Sequence, residues 1–380
     1  MNRKIKIILI HGGLFLLTLI TTTMAGAEWT FSKSVFMPGY SWSDFQSGFA
    51  YSIPFLLILT VHEFGHYFTA VYYRIKVSLP YYIPLPPLFM LGTLGAVIRL
   101  RERPVSKQQH FDIGIAGPLA GFVLALVFLA YGFTHLPPAD YIFQFHPEYA
   151  AYGADYASYV YRPEVMKEGV IDVILGKNLL FLFFENVIAD PALVPNPHEI
   201  MHYPLLFAGF LALVFTSLNL LPIGQLDGGH ILYGLVGYER HRVIASVVFI
   251  ILLFFAGIGL ITPGEPVEDL WWEIILYLLF LYVCMTGLGF SKKDTLMYAV
   301  AMFTLQYLIA DFFPTVKGYP GWLPFAFLLG RLVGVRHPPS EIESPLNLGR
   351  KIAGWLALVI FIICFTPNPL DVVVTAKGAP

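Results

Sequence analysis

Apolar residues run along this chain in blocks close to the ~20 residues a helix needs to cross a bilayer. Short polar or proline-rich stretches separate the blocks. They place candidate spans at about 5–24, 46–73, 111–133, 203–222, 242–261, 271–290, 295–313, 320–335 and 351–366. The pattern predicts an all-α polytopic membrane protein with about eight or nine transmembrane helices. One stretch breaks the rule. Lys76 to Arg101 carries Pro80, Pro84, Pro86 and Pro87, which exclude a regular helix from its first half, and then Leu91 to Leu100, which reads as a strand. This gives a short membrane-associated β segment directly after the second span. Non-helical backbone near membrane depth is tolerated where it lines a cavity or finds hydrogen-bonding partners. Extended backbone also offers an edge to which a substrate can add as a further strand.

Between Leu136 and Met201 the chain turns polar and aromatic, with Tyr149, Tyr152, Tyr156, Tyr159 and Tyr161 in quick succession. Tyrosines of this kind sit at headgroup level in an interfacial cap, or they form a surface that sorts substrates. Ile171 to Ile188 reads as a short amphipathic or re-entrant helix within it. Three regions follow: an N-terminal anchor and loop over 1–45, a core over 46–241 that includes the loop or cap region 135–202, and C-terminal transmembrane helices over 242–380. Arg3, Lys4, an apolar run and Ala25-Gly26-Ala27 together resemble a cleavable signal peptide. The run from Ile5 to Met24 is longer than a usual signal core and favours a retained anchor.

Composition strengthens the membrane reading, because 57% of the 380 residues are hydrophobic and only 13% charged. An average soluble domain carries roughly 25% charged residues. Lysine and arginine set orientation. With Arg3 and Lys4 cytoplasmic, alternation puts Arg74 to His110, Tyr238 to Arg242, Ser291 to Asp294 and Arg331 to Arg350 on that same side, each with basic residues. Pro137 to Met201 and Gly264 to Asp269 fall opposite and are richer in acids. A net charge of −2 offers no basic surface for nucleic acid. Cys284 and Cys364 lie in separate apolar spans and suggest no redox or zinc chemistry.

The chemistry concentrates in His62-Glu63-Phe64-Gly65-His66, inside the second span. Two histidines four residues apart share a helix face and can grip one metal ion. Glu63 lies about 100° around the helix from His62, within reach of a water beside that metal. Ionisable groups at bilayer depth are costly and mark functional sites by default. A catalytic zinc takes three protein ligands and keeps one position open. The longer motif with a third histidine six residues on fails, since Tyr72 stands there. A better third ligand lies in Asn219-Leu-Leu-Pro-Ile-Gly-Gln-Leu-Asp227-Gly-Gly-His230, where a lone acid is bracketed by helix breakers. Pro222, Gly224, Gly228 and Gly229 free backbone groups and make a polar pocket. The span arithmetic puts Asp227 near the cytoplasmic end of its own span, as His66 is in its own.

With these residues in view, the chain resembles the site-2 protease family of intramembrane zinc metalloproteases. The family's His-Glu-x-x-His is similar to His62, Glu63 and His66, and its Asn-x-x-Pro…Leu-Asp-Gly to Asn219, Pro222 and Leu226-Asp227-Gly228. A Gly-Pro-containing helix matches Gly114-Ile-Ala-Gly117-Pro118-Leu-Ala-Gly121. Together these cover about residues 46 to 235. The resemblance implies His62, His66 and Asp227 as zinc ligands, Glu63 as general base, and Asn219 as a hold on the substrate backbone. Asn219 also suits a hydrogen bond that closes the broken helix, and His230 a place beside Asp227 or at the interface. Gly117 and Gly121 fit a small-residue packing face. The implied function is hydrolysis of peptide bonds within or near transmembrane segments of other proteins, in a lipid bilayer, expected to be a bacterial plasma membrane with the active site toward the cytoplasmic side. Two other classes compete: an ion-coupled transporter with a broken-helix site, which leaves Glu63 unexplained, and a catalytically inactive membrane scaffold.

Overall fold

The computed structural model describes residues 3–86, 91–162, 165, 171–263 and 267–374. Its main helices are α1 (Arg3–Phe31), α2 (Phe49–Tyr72), α3 (Lys107–Thr134), α4 (Pro204–Leu220), α5 (Asp227–Val236), α6 (Tyr238–Gly257), α7 (Val267–Met285), α8 (Lys292–Phe312) and α9 (Leu348–Cys364). The strands are β1 (Tyr81–Pro84), β2 (Thr93–Val97), β3 (Ile171–Leu175) and β4 (Leu370–Val374). Pro87 of the proline-rich stretch and residues 264–266 of the expected loop lie outside the described residues.

Among the described residues, five helices are long and apolar enough to cross a membrane: α1 from Ile5, α3, α6, Leu270–Leu288 and α8. This is fewer than the eight or nine expected, for local reasons. Helix α2 has the length, but Ser52, Thr60, His62, Glu63 and His66 dilute its apolar character. Helices α4 and α9 have 17 residues each, and α9 carries Arg350 and Lys351 in its first turn. Pro320–Val333 is a shorter apolar helix, its last residues wound as a π-turn.

The chain divides into two compact units. The first comprises Met1–Arg103, Ala116–Leu218 and Phe361–Pro380. Tyr51, Phe55, Leu129 and Phe207 are fully buried in its core. Small residues let its backbones touch: a Cβ on Gly48 would fall 1.9 Å from the Thr23 carbonyl of α1, and one on Gly26 2.7 Å from the Gly48 carbonyl. Strands β1 and β2 pair antiparallel, Tyr81 opposite Val97 and Tyr82 opposite Ala96, with an irregularity before Pro84. Pro84 ends its strand, where a missing N–H breaks no continuing ladder. The hairpin is tied down by Thr21 Oγ1 donating to the Gly92 carbonyl at 2.7 Å and by a 2.7 Å Thr60–Tyr82 hydroxyl contact.

A second sheet in this unit corrects the expected helix over Ile171 to Ile188. Ile171–Leu175 is β3, paired antiparallel with β4, and only Leu179–Phe183 is α-helical, followed by a π-turn over Phe184–Ile188. A short apolar run fits strand and helix equally by periodicity. Here an extended partner, β4, takes up its hydrogen bonds.

The second unit comprises Pro104–Ile115 and Asn219–Ile360. Arg350 makes a bidentate pair with Asp112, at 2.8 Å from Nε and 2.7 Å from Nη2. Gln306 on α8 donates to the Leu253 and Phe254 carbonyls of α6 and accepts from Tyr277 of α7. The turn before α5 depends on glycine. Gly224 has φ +56°, its N–H donates to the Val335 carbonyl at 3.0 Å, and an added Cβ would lie 1.8 Å from the Gly334 carbonyl oxygen. Gly224→Ala is therefore expected to lower stability by at least ~2 kcal/mol, from left-handed strain of roughly 1–2 kcal/mol plus overpacking. The check is thermal unfolding in detergent. An unchanged midpoint contradicts this account of the turn.

Candidate metal centre

In the first unit, helix α2 carries His62, Glu63 and His66 on successive turns, and each is less than a tenth exposed. The spacing works as geometry requires: the two Nε2 atoms stand 3.1 Å apart. Two imidazole nitrogens bonded tetrahedrally to one zinc at 2.0–2.1 Å would be about 3.3 Å apart. The observed pair is thus close to the separation that a shared ion demands. Glu63 Oε1 lies 4.0 Å from His62 Nε2, beside the pair.

Helix α3 makes the room for these rings. In this unit a Cβ on Gly65 would sit 2.6 Å from the Ala116 carbonyl, one on Gly117 only 2.1 Å from His66 Nε2, and one on Gly121 3.1 Å from His62 Cβ. The glycines expected to form a packing face thus also make space for imidazoles. Donor chemistry, burial and the missing Cβ at Gly117 together fit a zinc-class ion held by His62 and His66.

In the second unit, Asp227 is the first residue of α5, preceded by the extended Leu226 and half-buried. A carboxylate there is favoured by the positive end of the helix. The Gly-Gly that follows lets α5 start flush against the preceding turn: a Cβ on Gly228 would lie 1.9 Å from the Leu220 carbonyl, and one on Gly229 2.3 Å from that of Gly224. Gly114, in the first turns of α3, packs against the same place, 2.7 Å from His230 Cβ and 3.3 Å from the Asp227 carbonyl by the same measure. Asn219 is half-buried in the last turn of α4.

His230 has a partner that the sequence did not suggest. Its Nδ1 lies 2.7 Å from His337 Nε2, and its ring stacks on His110 at 5.2 Å. Burial, with the neighbouring His230 and His110, holds His337 below the ordinary histidine range, so that ring is neutral at pH 7.

The reading of the sequence passed over a second His-Glu-x-x-His, His198 to His202. The signal was the same spacing, but the backbone differs. Glu199 has φ −108° and ψ −6°, and Ile200–His202 is a single 3₁₀ turn. The two histidines therefore do not share a face. His198 Nδ1 turns onto Asp172 at 2.7 Å, while Glu199 and His202 group with His146.

Residues 50–261 match the model of peptidase family M50. The chain is 27% identical over 221 residues to a probable chloroplastic zinc metalloprotease, EGY1, of Oryza sativa subsp. japonica, covering 58% of this chain and 33% of that one. It is 28% identical over 237 residues to EGY1 of Arabidopsis thaliana, covering 62% and 37%. The probable chloroplastic zinc metallopeptidase EGY3 of Arabidopsis thaliana is 29% identical over 213 residues, covering 54% and 32%. The chain thus spans about a third of the length of the curated relatives it matches. No solved structure matches.

Proposed function

The chain belongs to peptidase family M50, and on that premise we propose that it is an intramembrane zinc metalloprotease of the site-2 type, cleaving peptide bonds within or near transmembrane segments of other proteins. The observation that carries this reading is the buried His62–His66 pair, 3.1 Å apart, with Glu63 beside it on an apolar helix. The ion-coupled transporter reading leaves a glutamate beside a histidine pair unexplained.

His62, His66 and Asp227 are the proposed ligands, two imidazoles and one carboxylate, the number and kind of protein donors that a catalytic zinc takes. Bound there, zinc would supply a Lewis acid that acidifies a water and polarises a carbonyl. Glu63 would take the proton of the attacking water on its carboxylate and pass it to the leaving amine nitrogen. Asn219 would hold the substrate backbone. The β1–β2 hairpin, with Leu94 and Val97 at least half exposed, would keep a substrate strand extended so that its carbonyls are accessible. The named relatives are chloroplastic and lend no support to the bacterial plasma membrane expected from the sequence.

The test is cleavage of a panel of single-span membrane proteins by the purified chain in liposomes. Cleavage should stop after chelation and return with zinc. Full cleavage by protein shown to be metal-free would sink the proposal.

A further inference from the structure

Away from the first site, within the first unit and outside the five long apolar helices, His146, Glu199 and His202 bring one ligand atom each to within 4.8 Å of one another. His202 Nδ1 donates to the Thr30 carbonyl at 2.8 Å, so its Nε2 carries a lone pair in the neutral ring. That lone pair lies 3.8 Å from Glu199 Oε2, and His146 Nε2 lies 3.9 Å from the same oxygen. His146 Nδ1 faces Glu148 at 3.6 Å. The Tyr161 hydroxyl donates to the other Glu199 oxygen, Oε1.

We propose that His146, Glu199 and His202 form a second metal site, for a divalent transition-metal ion of the zinc class, on the wall of a cavity of about 710 Å³. Two imidazole nitrogens and one carboxylate oxygen suit such an ion. The surroundings are those of a ligand set. Metal-binding histidines hand their other ring N–H to a carbonyl or carboxylate, as His202 does to Thr30, and binding carboxylates are themselves hydrogen-bonded, as Glu199 is to Tyr161. The separations of 3.8 and 3.9 Å exceed the about 3.3 Å of a tetrahedral pair by roughly half an ångström, so the ligands close slightly on the ion.

Burial agrees: Glu199 is 1% exposed and His202 5%, so both donors are shielded from water. The cavity adds an independent sign of a polar occupant: Glu28 Oε2 and Trp29 Nε1, from two residues that line it, are buried without a hydrogen-bond partner among the described residues. Three protein ligands leave positions on the cavity side for water or an anionic donor.

The test is zinc binding to the full chain in detergent, counted by mass spectrometry after dialysis. A His62→Ala/His66→Ala variant should keep one zinc per chain, and adding His146→Ala and His202→Ala should remove it. No zinc in the first variant, or the same zinc in the second, overturns the proposal. Glu199→Gln and Tyr161→Phe preserve shape and guard against misfolding. Each should weaken this zinc by at least ~10-fold, with the unfolding midpoint of the metal-free protein unchanged. Wild-type affinity in Glu199→Gln would also overturn it.

Discussion

Glu63→Gln should slow peptide-bond cleavage by about 10²–10⁴-fold, the range that a positioned general base contributes, and leave zinc content as in the wild type. The amide keeps the size of the side chain, and Glu63 is a neighbour of the histidine pair, 4.0 Å from His62 Nε2. What is lost is the ability to accept a proton. Steady-state cleavage of one membrane substrate, with zinc measured on the same preparation, separates the two roles. Loss of zinc along with activity would make Glu63 a ligand. Equal cleavage would remove it from the reaction.

Gly117→Ala should cost little stability but weaken zinc at the first motif by at least ~100-fold. The new methyl would fall 2.1 Å from His66 Nε2 and 2.5 Å from two ring carbons. An imidazole can rotate away, so the overpacking penalty stays at or below the usual ~1–3 kcal/mol. Alanine returns about 0.5–1 kcal/mol of helix propensity in part compensation. A rotated ring, however, no longer brings its nitrogen to within 3.1 Å of His62 Nε2. Gly121→Ala is the control, since the tightest contact of its Cβ is His62 Cβ at 3.1 Å, with His62 Nδ1 at 3.5 Å and the Ile58 carbonyl at 3.6 Å, and a shift of a few tenths of an ångström relieves it. Zinc titrations of both variants decide between a pure packing role, in which neither moves the affinity, and a cradle, in which Gly117→Ala alone does so strongly.

Much of the first site was legible because its chemistry is local. Four-residue spacing on an α-helix fixes the His62–His66 geometry, and glycine and proline around Asp227 announce a broken helix whatever surrounds it. The second motif shows where that logic stops. His198 and His202 have the same spacing, yet the turn there is not α-helical, and the partner of Glu199 and His202 is His146, from a distant part of the chain. No periodicity connects them. The β3–β4 pair was hidden for the same reason, since Ile171–Leu175 finds its partner in Leu370–Val374, more than half the chain away. Helix α2 falls outside the five long apolar helices because the residues that make it a candidate site also lower its apolar character.

The central claim is that His62, His66 and Asp227 hold one ion between them. Zinc content of His66→Ala, Asp227→Ala and the double variant, each measured against wild type in the same detergent, tests it most directly. Each single variant should lose one zinc per chain, and the double variant should lose that same one and no more. Wild-type zinc in Asp227→Ala, or a second zinc lost in the double variant, would contradict it.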